Sequence, residues 1–267
     1  MNVGLLGGGR MGEALAAGLL EAGWAPDTLA VAEIDADRRH VLEERLPGVR
    51  VVPSPAWAAA DADVLVVSVK PADVTGALET CAPALAEQTL VLSIAAGVRI
   101  ATLEAAVPGH AVVRAMPNTP AVVGKGAAAI AAGTLADDTH LETAERVLSA
   151  VGTVVRVPES QLDAVTGLSG SGPAYLFLLA EAMTDAGVLV GLPRATADAL
   201  VRQTLLGAAT LLSEGGESPE ALRAAVTSPG GTTAAALQAL ETHGVRAALL
   251  DAVEAATRRS RESGGGA

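Results

Sequence analysis

Over the first 158 or so positions, apolar residues come in short, nearly unbroken runs rather than in alternation with polar ones. Residues 2–7, 28–34, 49–52, 63–69, 89–95 and 111–116 each read as a strand covered on both faces. βαβ crossovers impose that pattern on a parallel sheet. The first run leads through a glycine turn into a helical pattern over 9–23, and loop signals such as "PSP" at 53–55 and "KP" at 70–71 separate the rest. Past about residue 157 the strand signals stop. Long helical patterns cover 163–191 and 193–216, the second with Pro193 in its first turn, and shorter ones follow near 218–226, 232–241 and 244–262. The last six residues, "ESGGGA", read as a frayed tail. The pattern predicts an α/β fold: a doubly wound domain over 1–158, then an all-α domain over 159–267.

The stretch 170–190 is apolar nearly all round, with Glu181 and Asp185 its only charges. A helix of that kind must be covered. The helical half is too small to enclose it alone, so either a second copy of the chain shares these helices or the cover is an intrachain core between the two domains.

Composition narrows the partners. Half the residues are apolar, yet only Trp24, Trp57, Tyr175 and Phe177 are aromatic, so the core must be built from Ala, Val and Leu. A formal net charge of −12 argues against nucleic acid or an anionic membrane as partner. Cys81 is the single cysteine, and His40, His110, His140 and His243 are scattered without ligand spacing, so neither a disulfide framework nor a metal site is expected. No secretory leader is recognisable, and no stretch of membrane-spanning length lacks Gly, Pro or charge. The expected setting is cytoplasmic.

The candidate chemistry begins with "GLLGGGRMG", which holds Gly7-x-Gly9-x-x-Gly12 between the first strand and the first helix. In that context Gly7 allows the tight turn, Gly9 lets backbone approach a pyrophosphate, and Gly12 lets helix and strand pack closely. The helix N-terminus adds free N–H groups and the positive end of its dipole. A Rossmann-like dinucleotide site follows. Glu33 ends the second strand, where an acid bonds ribose hydroxyls and repels a 2′-phosphate. Arg38 and Arg39 stand close behind, either clamping such a phosphate or simply solvated. Lys70 and Pro71 follow the strand at 63–69, at the carboxyl edge where open sheets bind ligands; a plain surface lysine is the alternative. "SIAAGV" at 93–98, including Ala95, is either a close backbone wall for the cofactor or a tight turn.

The later motifs "RAMPNTPAVVGKG" (114–126), "GLSGSGPAYLFLLAEAMTDAG" (167–187) and "SPGGTT" (228–233), with "VKP" and "SIAAGV" before them, resemble pyrroline-5-carboxylate reductases over essentially the whole chain. The resemblance implies an N-terminal Rossmann domain and a C-terminal helical dimerisation domain interlocking two subunits, with larger rings built from dimers in many members. It implies reduction of 1-pyrroline-5-carboxylate to L-proline, the last step of proline synthesis, by NADPH or NADH. Gly7, Gly9, Arg10, Met11 and Gly12 then match the dinucleotide loop, and Val69, Lys70 and Pro71 a cofactor-contacting turn. Met116, Pro117, Asn118 and Thr119 match a segment between nicotinamide and substrate. Ser228, Gly230, Gly231, Thr232 and Thr233 match the loop for the substrate carboxylate, with Thr233 approaching the ring nitrogen. Thr233 and Lys70 are the catalytic candidates. Glu33 departs from the pattern of NADPH-preferring relatives, which carry a small polar residue there, often followed by Arg where this chain has Ile34.

The residue kit suits that chemistry. Ketone reduction wants a general acid, whereas the helical half has no lysine, one tyrosine (Tyr175) and one histidine (His243). A cyclic imine arrives protonated, so the protein need mainly position it. The rivals are a β-hydroxyacid dehydrogenase or another imine reductase on the same plan, and a dinucleotide sensor without catalysis. The dehydrogenases need a lysine on the long helix, and 163–191 contains none. In "TSPGGTTAAALQAL" an ordinary helix start capped by Thr explains Pro229 and one threonine, but leaves Gly230 and Gly231 together to a carboxylate docking on bare backbone.

Overall fold

A computed structural model describes residues 1–264. It divides into two compact units, 1–171 with 254–264, and 172–253.

In the first unit, β1 (Val3–Leu6), β2 (Leu29–Ala32), β3 (Arg50–Val52), β4 (Val64–Val67), β5 (Leu90–Ser93) and β6 (Val112–Met116) are parallel, and β7 (Gly126–Ala132) and β8 (Gly152–Arg156) complete one sheet. The order is β3-β2-β1-β4-β5-β6-β7-β8, with β7 antiparallel to β6. The crossovers carry α1 (Arg10–Glu21), α2 (Ala36–Arg45), α3 (Pro55–Ala59), α4 (Val74–Cys81), α5 (Ile100–Ala106) and α6 (Asp138–Leu148). Two buried clusters flank the sheet, one including Leu15, Leu19, Val31 and Ile130, the other Leu65, Leu78 and Leu103. Cys81 belongs to the second, and burial pushes its thiol up to about 12.

The runs read as strands through residue 116 all form strands. Two more were not legible. β7 is "GAAAIAA", and alanine is a poor strand former, so only its place in the sheet makes it one. β8 is an edge strand with mostly exposed side chains and lacks the buried run that marks the others.

The helical pattern over 163–191 is not one helix. α7 (Leu162–Val165) passes into a π turn at Thr166–Gly170, closed by Ser171 N–H on the Thr166 carbonyl at 2.8 Å, before α8 (Gly172–Leu189) begins. Glycines 167, 170 and 172 weaken the regular helix here. Pro193 is the N-cap of α9 (Arg194–Glu214) rather than a first-turn residue. α10 (Pro219–Ala225) and α11 (Thr232–Thr242) complete the second unit, and α12 (Val245–Gly264) starts there and ends in the first. The tail is helical through Gly264, where Ser260 Oγ donates to Asp163 Oδ1 (2.6 Å) and Arg99 Nε to the Gly264 carbonyl (3.0 Å). Residues 265–267 of the expected frayed end lie outside the described residues.

In the chain by itself α8 and α9 leave large apolar side chains uncovered: Phe177 is 69% exposed, Leu178 66% and Leu206 62%. No helix among the described residues is long and apolar enough to cross a membrane.

Candidate functional site

The sheet order reverses between β1 and β4, and their carboxyl ends open a cleft of about 690 Å³ lined by Gly7, Gly9, Glu33, Ser68, Val69 and Lys70 among others. Such a switch point is where open α/β sheets bind ligands, and the volume is in the usual range for small-molecule sites.

Each glycine of the first turn has a separate physical reason. Gly7 has φ +102°, which L side chains rarely adopt. A Cβ on Gly12 would lie 2.2 Å from the Gly7 carbonyl oxygen, so only glycine lets α1 start this close to the strand. A Cβ on Gly9 would meet nothing within 4 Å; it would project into the open cleft. Gly9 caps α1 with no side-chain hydrogen bond, leaving the first-turn N–H groups to an external acceptor. A dinucleotide pyrophosphate fits that cradle.

Ser68, which the sequence reading passed over, ties the two strand ends together. Its N–H donates to the Leu6 carbonyl at 2.9 Å, and its hydroxyl lies 2.9 Å from that oxygen and 2.8 Å from the Gly7 carbonyl. No motif marks a serine that works across some sixty residues.

Glu33 is fixed at the end of β2. Its Oε2 accepts the Gly8 N–H (3.1 Å) and its Oε1 the Asp35 N–H (3.0 Å). Neither arginine behind it is free, and neither lines the cleft. Arg39 Nη1 donates to the carbonyls of Glu33 (3.0 Å) and Ile34 (2.8 Å). Arg38 Nε donates to the Gly8 carbonyl (2.8 Å), and its Nη2 closes on Glu13. Glu13 also takes Arg45 Nη1 at 2.8 Å. Burial opposes the charge on Glu13, but its bonds to Arg45 and Arg38 outweigh burial and hold the carboxyl below the usual range.

Of the other residues expected to meet the cofactor, Val69 and Lys70 line this cleft, whereas Arg10, Met11, Pro71, Ala95, Met116, Pro117 and Asn118 are not among its lining residues. Lys70 is exposed at the start of a single 3₁₀ turn, Pro71–Asp73. Ala95 is buried beyond β5, Arg10 is exposed, and Met11 is partly buried on α1. Met116 ends β6 and Pro117 follows it, and a Cβ on Gly170 would lie 2.7 Å from the Met116 methyl. The Asn118 amide is committed to backbone: Oδ1 accepts the Ala127 N–H (2.8 Å) and Nδ2 donates to the Ser169 carbonyl (3.0 Å). Asn118 therefore holds the π turn against the sheet.

In the second unit, Ser228, Pro229, Gly230 and Gly231 form a tight turn closed by Gly231 N–H on the Ser228 carbonyl at 3.0 Å. Gly230 has φ +68°. A Cβ on Gly231 would lie 2.3 Å from Ser228 Oγ. Both glycines thus have causes inside the turn, which corrects the inference that a ligand alone explains the pair. Gly231, not a threonine, caps α11, again with no side-chain hydrogen bond. Ser228 and Thr232 are exposed, and Thr233 is partly buried. The turn thus presents two hydroxyls beside an open helix N-terminus. Among the described residues no cluster of His, Cys, Asp or Glu could hold a metal ion.

Comparison with known proteins bears on both units. Residues 159–263 match the family model described as pyrroline-5-carboxylate reductase dimerisation, and residues 2–97 match the one described as NADP oxidoreductase coenzyme F420-dependent. The pyrroline-5-carboxylate reductase of Synechocystis sp. is 47% identical over 265 residues, 99% of this chain and 98% of that protein. The solved structure of a pyrroline-5-carboxylate reductase from Coxiella burnetii superposes with a TM-score of 0.94 at 37% identity, covering 98% of each chain. That of Plasmodium falciparum pyrroline carboxylate reductase with NADP bound gives 0.85 at 30% identity, covering 99% of this chain and 98% of the other.

Proposed function

The chain belongs to the pyrroline-5-carboxylate reductase family, and from that membership we propose that it reduces 1-pyrroline-5-carboxylate to L-proline with NADH or NADPH. The observation that carries the reading is full-length identity of 47% to a curated reductase, together with a glycine cradle open to a pyrophosphate. A bound nicotinamide supplies the hydride. The residues of this chain hold, orient and shield.

Residues 1–158 seat the dinucleotide. Its phosphates rest on the first-turn N–H groups of α1 past Gly9, and its adenosine ribose meets the fixed carboxylate of Glu33. Val69, Lys70 and Pro71 press on the nicotinamide side, with Ala95, Met116 and Pro117 as apolar wall. Residues 159–267 supply the substrate loop and the dimer contacts. The substrate carboxylate docks on the open start of α11 and on Ser228 and Thr232, and Thr233 bonds the ring nitrogen. The iminium needs no strong acid, which suits a loop whose side chains are hydroxyls.

A homodimer covers the exposed faces of α8 and α9, and the working place of such an enzyme is the cytoplasm. A β-hydroxyacid dehydrogenase reading lacks its lysine, since 163–191 has none. The test is NADH and NADPH oxidation by the purified protein on adding 1-pyrroline-5-carboxylate, with L-proline identified as product; nucleotide binding without turnover would favour a sensor.

A further inference from the structure

We propose that Glu13 determines dinucleotide specificity by holding the Arg38 guanidinium away from the ribose end of the cleft, so that the chain favours a 2′-hydroxyl nucleotide over a 2′-phosphorylated one. The inference rests on the reading of the cleft as the dinucleotide site.

A 2′-phosphate would arrive beside Glu33 and needs a cation there. Among the described residues the cleft wall carries one cation, Lys70, on the turn after β4, with β1 standing between β4 and β2. The nearer candidates are Arg38 and Arg39. Arg39 is bound to the backbone it follows, at the Glu33 and Ile34 carbonyls.

Arg38 is different, because it is poised within reach. Gly8 is shared: its N–H donates to Glu33, and its carbonyl accepts from Arg38. The guanidinium and the carboxylate that reads the ribose thus bond the two sides of a single glycine. What turns it away is Glu13, on the first turn of α1, whose two carboxylate oxygens bond Arg38 and Arg45. The Glu13 side chain is 19% exposed and that of Arg38 27%, so the pair is shielded enough to hold.

Two carboxylates therefore act in series. Glu33 repels the 2′-phosphate, and Glu13 withholds the cation that would attract it. Removing Glu33 alone takes away repulsion; removing both should add an attraction, because Arg38 is then left with only the Gly8 carbonyl.

The test measures NADH and NADPH dissociation constants from nucleotide fluorescence, without substrate. It compares the wild type, Glu33→Ser, Glu33→Ser with Glu13→Gln, and that double variant with Arg38→Gln added. The wild type should bind NADH more tightly. Glu33→Ser should shift the binding ratio toward NADPH about tenfold, Glu13→Gln roughly another tenfold, and Arg38→Gln should erase the second step. A second step that is missing, or that survives Arg38→Gln, overturns the proposal. If the double variant does not fold, Glu13→Asp on Glu33→Ser should move the ratio the same way, and no movement counts against it equally. A wild type that binds neither nucleotide overturns the dinucleotide reading itself.

Discussion

Ser228 and Gly231 show how much one β-carbon decides at a site made of backbone. In Gly231→Val a β-carbon would lie 2.3 Å from Ser228 Oγ, an exposed atom free to rotate, and 3.2 Å from the Ser228 carbonyl oxygen, a tight fit to backbone. The turn should lose a little stability, and the proposed carboxylate seat should lose both its hydroxyl and its clearance. The expected result is a substrate KM raised roughly tenfold or more, with the KM for the nucleotide little altered, read from steady-state kinetics and a parallel thermal melt. At this scale the sequence was legible where a residue's role is local. The positions of Gly7, Gly9 and Gly12 follow from the turn they build. Glu33 stands directly after β2, where its distance past the glycines puts it. Ser68, Glu13 and the double commitment of Asn118 were not, because their partners lie 61, 25 and 51 residues away. Arg38 and Arg39 stood open between phosphate clamp and solvated charge, and nothing in the sequence marks the carbonyl and carboxylate groups that they bond in the structure.

Between elements, the most exacting junction is the one made by Glu159. Its Oε1 accepts Arg114 Nη1 from β6 at 2.9 Å and the Ile100 N–H at the start of α5 at 2.7 Å. Arg114 is only 6% exposed, so it depends on this carboxylate. Glu159→Ala would strand a buried cation, and solvent reaching the partly open glutamate softens the penalty to about 2–3 kcal/mol. Urea unfolding should show that loss, with Glu159→Gln costing less; equal midpoints for wild type and Glu159→Ala would contradict this role. The long-range logic of the sheet also limits what pattern can predict. Strands buried on both faces announce themselves, whereas β7 is alanine held in place by β6 and β8, and β8 is an exposed edge. Likewise the π turn at Thr166–Gly170 sits in a helical pattern that glycines 167, 170 and 172 only weaken, and the Asn118 amide that bonds its Ser169 carbonyl comes from 51 residues away.

For the molecule as a whole, the apolar all-round stretch at 170–190 predicted a helix that needs cover, and α8 in the single chain indeed leaves Leu176, Phe177 and Leu178 mostly exposed. Covered by a second copy, such side chains would form the buried centre of an interface. Phe177→Glu should weaken the homodimer roughly thirtyfold or more and shift light scattering at micromolar concentration toward the monomer mass; an unchanged dimer would remove Phe177 from the contact. In the proposed reaction the sheet would seat the nucleotide and the helical loop the imine. That division is tested most directly by running the reductase assay with nicotinamide deuterated at the transferring position. The account predicts that L-proline forms carrying one deuterium on the former imine carbon, the ring carbon across the nitrogen from the carboxylate-bearing one. Nucleotide oxidation that leaves proline unlabelled, or binding with no proline formed, would contradict it.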